Sequence, residues 1–354
     1  MSFLAVLRAA AVPLAVGLTV ATVTCGCVAD VKPVRPPATV QPRCDGVTVG
    51  ADLYADHDYS VTTASRLGAR SLTWIGGTLG LCAVQIDWNL RSQGDTVSAG
   101  PATASPAVIA ALTKIAQRDG LQVSYRVMFT VPAGNITPSD SAAWFASLLS
   151  VERPYLELAE ASHVTEFIAG NEYATIETNP WWRWFFAQSA RIYHGTLSYA
   201  TWGGRPGYGG VADGQLGQLP PVRDWGITAY PVVNLPASAT QASVTEAWEE
   251  YLRHIPSWAL HRMALDEVGI PASAGAYEQP WDWTAFSDRA DDTVQARWFT
   301  AACTTARELG MRGIWFFAVF LDDDPAHPYP GLAKFENRLA SVAAIRACAE
   351  KAAT

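Results

Sequence analysis

The 354-residue chain is 49% hydrophobic, which is enough to bury a large core, and it is long enough for a single barrel domain of roughly 250 residues plus extensions. Its formal net charge of −8, with no clustered Lys and Arg, argues against a nucleic-acid partner, because neutralising phosphates needs such clusters. A neutral polymer such as a glycan suits this surface better.

Residues 1–30 read as an export signal: Arg8 supplies the positive start, an apolar run covers residues 9–24, and small residues follow. Cys27, preceded by Gly26, resembles a bacterial lipoprotein cleavage cysteine, whereas cleavage after Ala29 would release the protein, so membrane anchoring through a lipid and free secretion both stay open. The apolar run is shorter than the roughly 20 residues of a spanning helix. Residues 31–43 are Pro-rich and polar, an extended tether. Residues 44–354 then form one domain, expected to act as a monomer. Its four cysteines show no CxxC or Cys/His metal pattern, and an exported, even-numbered set favours disulfides, expected as Cys44 with Cys82 and Cys303 with Cys348.

From Gly46 onward, short β-rich apolar runs alternate with amphipathic helical stretches. Eight strands are predicted at 46–54, 82–88, 121–129, 164–172, 196–202, 225–231, 262–269 and 313–320. Helical patterns at 105–120, 138–149 and 292–310 carry Ser or Asp at their starts and Gly at two of their ends. Between the fifth and sixth strands, 203–224 is rich in Gly and Pro and reads as a long loop. The pattern predicts a single-domain α/β protein, a (β/α)8 barrel, whose active face lies at the C-terminal ends of the strands.

Two acids stand at such ends: Glu172 closes the fourth strand and Glu267 lies near the end of the seventh. An isolated carboxylate at the end of an apolar strand costs free energy unless it is paired or used. Strands four and seven face each other across a barrel, so both side chains can converge on one sugar. Retaining glycoside hydrolysis needs such a pair about 5–5.5 Å apart, one acid protonating the leaving oxygen and one carboxylate attacking the anomeric carbon.

The segments GNE (170–172), DEVGIP (266–271), the helix and Gly-Leu-x-Val strand of 105–129, and DWGITAYP (224–231) together resemble glycoside hydrolase clan A, with the layout of its mannanase-like and galactanase-like families. The resemblance implies a retaining mechanism with Glu172 as acid/base and Glu267 as nucleophile. It further implies that Asn171 hydrogen-bonds the sugar 2-hydroxyl, Tyr230 donates to Glu267, and Trp315 stacks on the sugar at the cleavage site. The clan commonly has an Arg near the nucleophile; Arg126 is the one strand-borne candidate, with a core Arg paired to an acid as the alternative. Among the other aromatics near strand ends, which include Trp181, Trp182, Trp184, Trp281 and Trp283, Trp202 and Trp88 are the better candidates for sugar stacking. By strand alternation Asp266 should point away from the axis, while Asp52, Asp56 and Asp322 to Asp324 should touch sugar hydroxyls or be solvated. The six His are scattered without a metal or triad pattern, so no cofactor and no metal are expected, and the partner is a polysaccharide or oligosaccharide substrate. The competing reading is a glycan-binding barrel that has lost activity.

Overall fold

The computed structural model describes residue 44 and residues 46–352, apart from 131–135, 174, 204–218, 284–289 and 326–333. The export and tether segments lie outside the described residues, as does most of the expected 203–224 loop.

In chain order the elements are β1 (Thr48–Ala55), α1 (Val61–Thr73), β2 (Ala83–Gln93), β3 (Thr96–Ser98), α2 (Pro106–Arg118), β4 (Gln122–Phe129), α3 (Ser141–Ala161), β5 (Glu166–Asn171), α4 (Trp181–Ser189), β6 (Thr196–Trp202), β7 (Asp224–Ala229), α5 (Gln241–Leu252), α6 (Ser257–Leu260), β8 (Met263–Val268), α7 (Asp292–Glu308), β9 (Gly313–Phe320) and α8 (Leu339–Ala352). All but β3 pair in parallel from neighbour to neighbour, and β1 pairs with both β2 and β9, which closes an eight-stranded barrel. The eight predicted strands match its staves one for one. β2 runs on past the predicted end at 88 because residues 89–93 continue into an antiparallel hairpin with β3, turning at Gly94 with φ 56°.

Local chemistry sets the helix boundaries. Ser105 caps α2 through Val108 N–H with Pro106 in the first turn, where a missing N–H costs nothing, and Gly120, at φ 85°, reverses the chain into β4. Asp140 and Asp291 cap α3 and α7 in the same way. Helix α3 continues through Pro154 to Ala161, beyond the 138–149 pattern, since Tyr155, Leu156 and Ala159 remain buried on that extension. Packing there outweighs the lost backbone bond. Both expected disulfides form. Cys44–Cys82 ties the chain before β1 to the start of β2 (Cα separation 5.5 Å), and Cys303–Cys348 ties α7 to α8 (5.9 Å).

Helix α3 also buries Glu152, whose two carboxylate oxygens have no partner among the described residues, and burial raises its pKa well above 4.5. The folded state therefore keeps this proton while the unfolded chain releases it above about pH 4.5, so the group's contribution to stability is full below that pH and is lost as pH rises. Glu152→Gln is expected to stabilise the fold by roughly 1–3 kcal/mol at pH 8 and to have little effect near pH 4. Urea unfolding at the two pH values checks this; an equal effect at both would contradict it.

Candidate active site

The strands deliver a polar cluster to the C-terminal mouth of the barrel. Its centre is Arg126 on β4, fully buried. The guanidinium donates to Asp87 through Nε (3.1 Å) and Nη2 (2.6 Å), lies 3.3 Å from Asp52 Oδ2, donates to the Asp266 carbonyl (3.0 Å) and reaches Glu267 Oε1 at 2.8 Å through Nη1. Gln85 donates to Asp52 Oδ1 (2.9 Å) and to the same Asp266 carbonyl (3.3 Å). Three carboxylates thus share one cation. Burial raises Asp87 to about 7 against the pull of Arg126, and it raises Asp52 as well.

The opposite oxygen of Glu267, Oε2, accepts from the Tyr230 hydroxyl at 2.8 Å. What brings Glu267 there is an irregularity of β8. Leu265 pairs with Ile227 and Glu267 with Thr228, leaving Asp266 as an extra residue, a bulge that breaks the alternation of the strand. Asp266 consequently does not point away from the axis as period-two reading expects. It is buried over Gly226, where a Cβ would lie 1.6 Å from its Oδ2, and its pKa is raised by burial and then by the charge of Glu166. Glycine is required at 226 because the carboxylate occupies the side-chain space.

Glu172 follows β5 directly and is half-buried. Its φ of 56° is a left-handed conformation that costs a non-glycine residue free energy, and its N–H donates to Ala200 O at 2.9 Å. Burial, then the negative charge of Glu267, raises its pKa to about 8, against the Thr228 hydroxyl beside it and Arg126. Asn171, 5% exposed, presents a carboxamide oxygen with no hydrogen-bond partner among the described residues. Around these groups runs an aromatic wall. Trp202 stacks on Tyr230 (6.2 Å) and meets Trp281 edge-on, while Trp283 meets Tyr230 edge-on and stacks on Phe317 (6.1 Å). Among the described residues no group of three or more His, Cys, Asp or Glu is arranged to hold a metal ion.

The sequence model of Glycoside Hydrolase Family 113 matches residues 119–330, more than half of the chain. The chain belongs to glycoside hydrolase family 113. Among solved structures, a family 113 β-1,4-mannanase superposes with a TM-score of 0.69 at 15% identity, covering 87% of this chain and 99% of the other. A family 113 β-mannanase from Alicyclobacillus acidocaldarius gives 0.62 at 19% identity, covering 88% and 99%. A family 5 enzyme from Streptomyces cattleya, solved with Manβ1-4GlcNAc, gives 0.56 at 14% identity, covering 86% and 80%. A search of curated protein sequences finds no match. The protein is a retaining glycoside hydrolase on a (β/α)8 barrel.

In this family 113 barrel the expected residues Asn171, Glu172, Glu267, Tyr230, Trp202 and Arg126 come together, and Arg126 both reaches Glu267 and pairs with the buried acids Asp52 and Asp87. Two do not. Trp88 points outward from β2: it is fully buried, stacks on Tyr155 of α3 at 4.6 Å and meets Tyr125 and Phe167 edge-on, so no sugar reaches it. Trp315 does face the barrel interior, but one layer too low. It lies over Gly50 and Gly313, whose absent side chains make room for the indole, and lines a cavity at the N-terminal end with Glu166 and Arg312. Phe317, two residues on, stands at the mouth instead, 5.9 Å from the Arg126 guanidinium. Asp52 is likewise neither solvated nor free for sugar, being locked under Arg126, and Asp323 is buried and bound by Lys334.

Proposed function

We propose that Glu267 is the nucleophile and Glu172 the acid/base of a double displacement on a β-1,4-mannose-containing polysaccharide or oligosaccharide. The observation that carries this is the asymmetry of the two carboxyls. Arg126 and the Tyr230 hydroxyl approach opposite oxygens of Glu267 and stabilise its anion, whereas Glu172 is raised to about 8 and so holds a proton at neutral pH. In the first step a Glu267 oxygen bonds to the anomeric carbon as the glycosidic bond breaks, and the Glu172 proton passes to the departing oxygen. In the second, Glu172 takes a proton from water, whose oxygen attacks the anomeric carbon and releases Glu267. Asn171, with its unpartnered carboxamide oxygen, is suited to a sugar hydroxyl, and Trp202, Trp283 and Phe317 to the apolar faces of pyranose rings.

The mannose assignment is supported by the β-mannanases among the structural neighbours. Two disulfides fit an extracellular enzyme. In the same reading residues 1–30 serve as the export signal of that enzyme, ending in lipid anchoring at Cys27 or in release by cleavage after Ala29, and residues 31–43 serve as the tether. Incubation with mannan, xylan and galactan, with products resolved by chromatography, tests the activity: manno-oligosaccharides from mannan are expected, binding without turnover of any of the three would favour a lectin-like barrel, and turnover of xylan or galactan alone would overturn the substrate. Since Glu172 must be protonated in the free enzyme, kcat/KM is expected to fall as pH rises through about 8, which a pH–rate profile checks.

A further inference from the structure

Behind Glu172 lies a second acid that the two-step mechanism leaves unused. Glu177, in the loop between β5 and α4, is 2% exposed, and its Oε1 has no hydrogen-bond partner among the described residues. No cation offsets its burial, which raises it to about 7, and the hydroxyls of Thr201 and Tyr199 work against that rise. A buried, unpaired carboxyl is costly, and a neutral Gln would serve a purely structural position at less cost.

Its neighbour Tyr199 shows what the acid does. Tyr199 stands on β6, edge-on to Trp182 and Tyr173, with Gly170 giving room for its ring: a Cβ there would lie 2.7 Å from Cε2. The Tyr199 hydroxyl accepts the Tyr173 N–H at 3.0 Å, and the Glu177 carboxyl beside it is an acceptor to which its own hydrogen can turn. Tyr173 N–H belongs to the peptide directly after Glu172, the residue held at φ 56°. An acceptor fixed on that N–H holds the left-handed turn in place, and a phenol whose own hydrogen is held elsewhere keeps its lone pairs aimed at the N–H.

We infer that Glu177 is a positioning residue for the acid/base: it commits the Tyr199 hydrogen, so that the Tyr199 oxygen anchors the Tyr173 N–H and fixes the direction in which Glu172 points. The inference rests on Glu172 being the acid/base. Through space the Glu177 charge also disfavours ionisation of Glu172, together with Glu267 on β8 and against Arg126 on β4.

The test compares Glu177→Gln, Glu177→Ala and Glu172→Ala on the β-glycan substrate and on the matching dinitrophenyl glycoside, whose leaving group departs without a proton. Glu177→Ala is expected to lower kcat/KM on the glycan about tenfold or more, part of the roughly 10²–10⁴-fold worth of general acid catalysis, and by less than about threefold on the dinitrophenyl glycoside. Glu177→Gln keeps an acceptor for the Tyr199 hydrogen but removes the charge, so most of the glycan activity returns while the basic limb of the kcat/KM profile moves to lower pH. A role in packing alone would reduce both substrates equally and leave the pH limb in place. Glu177 variants indistinguishable from wild type in rate and pH profile, alongside a Glu172→Ala loss confined to the poor leaving group, would overturn this inference alone. A Glu172→Ala loss that ignores the leaving group would overturn the acid/base reading and this inference with it.

Discussion

With Glu267 as the proposed nucleophile, Glu267→Ala is expected to lower the turnover of glycan by about 10³-fold or more, with no improvement of the leaving group restoring it, because the carboxylate proposed to bond to the anomeric carbon is gone. Glu172→Ala behaves differently. Its expected loss on glycan is about 10²–10⁴-fold, yet under the proposed roles an aryl glycoside with a fast leaving group should still be attacked by Glu267 and the covalent intermediate should accumulate. Azide separates the two variants by product. Entering from the Glu172 side, it displaces Glu267 from the intermediate and gives the β-glycosyl azide; in the space vacated by Glu267 it attacks the substrate directly and gives the inverted azide. Both variants should fold, since Glu172 is half-buried at the mouth, and removal of the buried Glu267 carboxylate still leaves Arg126 paired with Asp52 and Asp87. Activity within tenfold of wild type for either variant would remove the assignment.

Arg126→Ala should combine the largest loss of stability with a large loss of activity. The substitution leaves Asp52, Asp87 and Glu267 buried together with no cation among them. Breaking one buried pair by removing a partner costs roughly 3–5 kcal/mol, and here three acids depend on one guanidinium. The acids can relieve the cost by taking up protons, so the gap between wild type and variant should narrow as pH falls and widen as it rises. Urea denaturation at several pH values measures that gap. Catalysis should fall by about 10²–10³-fold even where the fold persists, because the anion of Glu267 loses its charge-assisted partner. A variant as stable as wild type at pH 8 would show that the cluster does not depend on Arg126.

Much of this architecture was readable from sequence because the barrel's staves are short apolar runs closed by caps and glycines, as at Ser105 and Gly120. The two candidate acids could be picked out because a Glu at the end of an apolar strand is costly to keep unless it is paired or used. Side-chain direction was harder. On β2, Gln85, Asp87 and Asn89 are polar at alternate positions, and that parity alone would have placed Trp88 on the outer face. Parity is no help with Trp315, which shares its face with Phe317; only height along the strand distinguishes a residue over Gly50 from one at the mouth. The bulge at Asp266 left no mark in the sequence, since nothing in a six-residue strand reveals an extra residue before the paired strand is known. Asp52 and Asp87 were missed as partners of Arg126 because the register of β1, β2 and β4, which sets Asp87 directly opposite Arg126, cannot be read from any one segment.

The most direct measurement is to trap the covalent intermediate. A mannoside bearing fluorine beside the anomeric carbon and a fast leaving group forms the glycosyl-enzyme faster than water releases it, and proteolysis followed by mass spectrometry locates the sugar. One label is expected, on Glu267, and none in the Glu267→Ala variant. A label on Glu172, Glu177 or Asp87 would contradict the assignment of Glu267 as nucleophile.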